Sequence, residues 1–69
     1  MPSEIIFNVE ADPEGGYTAV ALGYSIFTQG DSMDDLREMV RDAVLCHFDE
    51  GDRPAVIRLH LVIDELIAV

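Results

Sequence analysis

The side chains with the most chemical potential in this sequence are carboxylates gathered in two short stretches. Glu10, Asp12 and Glu14 form one, and Asp31, Asp34, Asp35 and Glu38 form the other. Carboxylates that converge on one buried spot can hold paired Mg²⁺ ions for phosphoryl transfer, and Glu10, Asp12, Asp31 and Asp35 are the candidates for that task. Their local patterns point elsewhere. Glu10 lies on the polar side of an alternating run, Asp12 lies in a turn, and Asp31 and Asp35 lie at a helix start, so a solvated acidic rim and a helix cap are expected. A second donor set, Cys46, His47, Asp49 and His60, has the chemistry of zinc ligands but not their spacing. Cys46 and His47 are adjacent, about 100° apart on a helix, and no second ligand pair stands at finger-like separation. Cys46 is expected as a small buried hydrophobe, and His47 as a partly buried histidine near a helix C-terminus, where a cation is favourable. His60 is expected on the solvent side of a strand. No elbow motif surrounds Ser25 or Ser32, and Gly15 and Gly16 lead into a strand pattern rather than a phosphate-binding helix. The expectation is a chain with no catalytic residue, metal site or cofactor, and no enzyme activity.

The positive role left to the acids is docking. Asp12, Glu14, Asp31, Asp34, Asp35 and Glu38 are expected to cluster at a hairpin turn and a helix start, where they would steer and hold an Arg/Lys-rich partner. The whole chain carries this bias: 69 residues hold 14 acidic side chains against 4 basic ones, for a formal charge of −10. All four cations are arginines, Arg37, Arg41, Arg53 and Arg58. Such a charge repels phosphate backbones, so direct nucleic-acid binding is not expected. No run reaches the roughly 18 apolar residues of a membrane span. The single cysteine cannot close an internal disulfide, and a cytoplasmic protein is expected.

The elements that must position these residues follow from periodicity. Ile5, Phe7 and Val9 alternate with Glu4, Asn8 and Glu10, which predicts a half-buried strand over 4–11. The run 12–16, with Pro13, Gly15 and Gly16, predicts a hairpin turn into a second strand, 17–22, and a third follows at 26–29. Ser32 and Asp35 form a capping-box pattern that opens a helix. Its apolar stripe is expected along Leu36, Val40, Ala43 and His47, flanked by Met33, Val44, Met39 and Cys46. Leu45 and Phe48 fall toward the charged side and are expected at an interface. After a polar loop at 49–54, a strand is predicted over 56–63, and the apolar tail through Leu66 and Ile67 is expected to pair as a short fifth strand or to exchange with a second subunit. A domain of this size buries only about 60 % of its unfolded surface, so a homodimer or higher homo-oligomer is expected.

The stretch from Glu10 to Ala19, with Pro13, Gly15, Gly16 and Tyr17, followed by Thr28, Gln29, Gly30, Asp31, Ser32, Met33, Asp34, Asp35 and Leu36, resembles the N-terminal domain of HicB-family antitoxins. The shared features are an acidic strand end, a Gly-Gly hairpin followed by an aromatic residue, a Gln-Gly-acid-hydroxyl turn, and a helix opening with paired acids. The resemblance implies a partial RNase H-like fold and does not imply nuclease activity. It also implies a partner, a small basic HicA-like toxin that cleaves messenger RNA and is neutralised by burial. Members of that family continue into a ribbon-helix-helix or helix-turn-helix segment that binds operator DNA. The 69 residues here hold only one strand pattern after the helix, so operator binding is not expected. The fold class read from the sequence is α+β, one domain over residues 1–69, an antiparallel sheet of order βββαβ(β) with one helix on one face. The function read from it is an antitoxin-like inhibitor, with a stand-alone dimeric scaffold or small-ligand module as the alternative.

Overall fold

The structure, a computed structural model, describes residues 4–69. Strand β1 (Glu4–Ala11) turns Ile5, Phe7 and Val9 inward, and all three are almost wholly shielded from solvent. The hairpin closes through Asp12 N–H donating to the Gly16 carbonyl and Gly15 N–H donating to the Asp12 carbonyl, both at 2.9 Å. Strand β2 (Tyr17–Ala21) runs antiparallel to β1, and β3 (Phe27–Gly30) runs antiparallel to β2. β3 starts one residue later than the pattern predicts. Ile26 instead closes the connection by accepting the Ala21 N–H at 3.0 Å, and its side chain is buried.

Helix α1 (Met33–His47) starts at Ser32, whose Oγ accepts the Asp35 N–H at 3.0 Å. The Asp35 carboxylate reaches one residue further back than an ordinary capping box, accepting the Asp31 N–H at 2.9 Å. The buried stripe is Leu36, Val40 and Val44, with Met33 and Ala43 at its margin. It is rotated from the expected one, and Met39, Cys46 and His47 all face solvent. Phe48 explains the rotation. Its N–H holds the Val44 carbonyl at 3.1 Å and its ring packs on the core, burying more apolar area than an imidazole would at the same end of the helix. His47 is left at the rim, edge-on to Phe48 and Tyr24.

A short 3₁₀ turn (Glu50–Asp52) leads to β4 (Val56–Val62), which pairs with β1 in parallel, Ile5 opposite Ile57 and Phe7 opposite Leu59. The class is α+β in the order βββαβ, but the four-stranded sheet, β3-β2-β1-β4, is mixed rather than all antiparallel. The helix is the cause. At about 1.5 Å per residue it carries the chain back along the length of the sheet, so the next strand starts where β3 started and runs the same way as β1. β4 ends one residue short of the expected range. Residues 63–69 form no strand, so the expected fifth strand is absent from the described residues.

The helix covers one face only. It runs closest to β3 and β2, where Gly30 makes the approach possible: a Cβ there would lie 2.6 Å from the Leu36 backbone nitrogen. The opposite face of the sheet has no second layer among the described residues and presents Val20, Phe27, Arg58, His60 and Val62. No helix among the described residues is long and apolar enough to cross a membrane.

Candidate functional site

Three of the predicted docking acids meet at one end of the molecule. The β1–β2 turn, the end of β3 and the first turns of α1 enclose a shallow depression of about 380 Å³ bordered by Asp12, Asp31 and Asp35, with Tyr17, Gln29 and Met39 beside them. Two of these carboxylates are fixed by local backbone bonds. Asp12 accepts the Glu14 N–H through Oδ1 at 2.9 Å, and Asp35 accepts the Asp31 N–H through Oδ2 at 2.9 Å. Gly16 allows the turn to close on β3: its φ is +82°, and a Cβ would lie 2.6 Å from the Gly30 carbonyl oxygen. None of the three carboxylates enters an ion pair among the described residues. The cleft therefore presents concentrated negative potential, offset in part by the positive end of α1.

The other predicted acids are placed differently. Glu14 stands exposed at the tip of the turn. Asp34 is engaged by Arg37 at 2.6 Å on the helix surface, and Glu38 borders a separate depression with Arg41, Asp42 and Leu45. Among the described residues no three His, Cys, Asp or Glu side chains stand close enough to hold a metal ion together. The residues named for an interface are also separated. Leu45 is 40 % exposed beside the charged arc of the helix, whereas Phe48 turns toward the core. Leu66 and Ile67 project from the body, 98 % and 76 % exposed.

The sequence reading missed a second feature. Between α1 and β4 the helix stands off from the sheet, leaving a groove of about 490 Å³ with an apolar floor of Val40, Val44, Leu45, Ile57 and Leu59. Arg37, Arg41 and Arg53 rim it, three of the chain's four cations. The spacing of Arg37 and Arg41, one helical turn apart, was a partial signal. Arg53 joins them only because β4 must return beside β1, a long-range consequence of the crossover. The groove thus gathers three arginines, while Asp12, Asp31 and Asp35 border the cleft at the hairpin end.

No family model matches the chain, and no solved structure matches it. Two curated proteins are similar to it. A UPF0150 protein of Archaeoglobus fulgidus is 62 % identical over 50 residues, covering 72 % of this chain and 74 % of that protein. A UPF0150 protein of Thermotoga maritima is 48 % identical over 66 residues, and the shared stretch takes in 96 % of this chain and 93 % of the relative. That alignment spans the hairpin, the capped helix and β4, so the groove and the cleft lie within the aligned stretch, and the chain belongs to the UPF0150 family.

Proposed function

We propose that this chain is a stoichiometric binding protein that captures a small basic partner, a HicA-like messenger-RNA-cleaving toxin of a type II toxin–antitoxin pair, and acts without turnover. The observation that carries the reading is the cleft bordered by Asp12, Asp31 and Asp35, with no cation paired to these carboxylates among the described residues. A partner rich in Lys and Arg would find there a preformed acidic recess and around it a strongly negative surface. The resemblance of the hairpin and helix-start motifs to HicB antitoxins gives the partner its class. Burial of the toxin's active surface would be the mechanism, with a cytoplasmic site of action.

The test pairs the purified chain with a small basic HicA-like toxin and follows messenger-RNA cleavage during titration. Inhibition should saturate at a fixed ratio of the two proteins and weaken as salt rises. The double variant Asp12→Asn, Asp31→Asn removes two charges while keeping an oxygen at Asp12 for the Glu14 N–H, and it should weaken binding by about tenfold or more. Cleavage that continues unchanged in excess of the chain would refute the reading. The groove of about 490 Å³ favours a second reading, a stand-alone dimeric scaffold or small-ligand module of the same fold.

A further inference from the structure

We propose that the α1–β4 groove receives residues 63–69 of a second copy of this chain, so that two molecules exchange these segments reciprocally. The groove is a cationic feature in an anionic protein. Arg41 and Arg53 enter no ion pair among the described residues, and the only partner of Arg37 is the exposed Asp34. Beneath these guanidinium groups the floor is apolar, and the outer edge of β4 pairs with no strand among the described residues. An occupant must therefore be apolar, must carry carboxylate, and gains most if it is extended.

Segment 63–69 has these properties. Every residue in it is exposed, and Ile63, Leu66, Ile67 and Val69, with Phe27, are the most solvent-accessible large apolar side chains among the described residues. In an extended conformation alternate side chains share a face. Ile63, Glu65, Ile67 and Val69 then lie together, three apolar side chains with one carboxylate among them, matching an apolar floor under a guanidinium rim. Asp64 and Leu66 fall on the opposite face.

The segment's own groove is badly placed for it. The chain leaves β4 at Val62, opposite Glu10, while the groove lies toward the start of β4, at Ala55, Ile57 and Leu59. Filling it from within one chain requires an immediate reversal. A second copy related by a two-fold axis can deliver the segment without one, and each chain then both gives and receives. This proposal is independent of the toxin reading.

Sedimentation velocity on the intact chain tests it. The wild type should be a dimer. Ile67→Asp and Glu65→Arg, made in a segment exposed throughout its length in the monomer, should weaken the dimer by about tenfold or more without altering the far-ultraviolet circular dichroism. Combining Glu65→Arg with Arg41→Glu should restore association lost by either alone. A mixture of Ile67→Asp chains with Leu45→Asp chains should form a heterodimer, since one intact segment can still enter one intact groove. A monomeric wild type, or a dimer indifferent to Ile67→Asp and Glu65→Arg, would overturn the proposal. Failure of the mixture to associate would point to folding-back within one chain and would overturn it equally.

Discussion

At Gly30 the helix and the sheet meet backbone to backbone, and the tolerance there is smaller than a methyl group. Gly30→Ala would set a Cβ 2.6 Å from the Leu36 nitrogen and 2.8 Å from its Cα, so α1 must lift from β3. We expect a loss of about 2 kcal/mol or more, read as a lowered midpoint in urea, which is a large share of the stability of so small a domain. Leu45→Asp should behave in the opposite way, because Leu45 borders the groove without entering the core. Its thermal midpoint should stay close to wild type while self-association falls, and an unfolded variant would show that Leu45 supports the core. Residue-scale chemistry was legible where it is local. The turn bonds of Asp12 and the cap at Ser32 follow from residue type and a spacing of two or three positions. The exposure of Cys46 and His47 was not, because which side of the stripe is buried depends on Phe48 at the helix end meeting Tyr24, which arrives from the connection between β2 and β3.

Elements that consist mainly of neighbours in sequence, the β1–β2 hairpin and α1, have the predicted type and nearly the predicted bounds. Ser32→Ala removes the side-chain oxygen that holds the Asp35 N–H and should cost about 1 kcal/mol, a fall of about 4–8 °C in thermal midpoint for a domain of this size. Asp35→Asn should cost less, since its amide oxygen can still accept the Asp31 N–H. β4 is the element whose partner could not be read from its own residues. Its alternation gives a strand, but the parallel direction comes from the helix that precedes it, and the incomplete cover of Ile57 and Leu59 comes from where that helix lies. The convergence of Arg37, Arg41 and Arg53 has the same origin, which explains why composition and periodicity gave the acidic character of the chain and not the arginine-rimmed groove.

For the molecule as a whole, a charge of −10 on 69 residues makes self-repulsion a standing cost of the compact state. Raising salt should therefore raise the thermal midpoint of the free protein, while the same change weakens its capture of a basic partner, and the two trends can be followed in one buffer series. Deleting residues 63–69 should leave the circular dichroism spectrum and melting cooperativity intact, since these residues make no shielded contact in the monomer. The parallel pairing of the first and last strands has a kinetic consequence. Arg58 on β4 grips Glu4 on β1 at 2.7 Å across 54 positions of chain, so the centre of the sheet is complete only after nearly the entire polypeptide has been threaded into place. The hairpins and the helix can assemble beforehand from short loops, whereas β4 must close a long one against a single neighbour. The same strand is then the first to let go: amide protons along β4 should exchange with deuterium well ahead of those shared by β1 and β2, and the native state should breathe by peeling from this side.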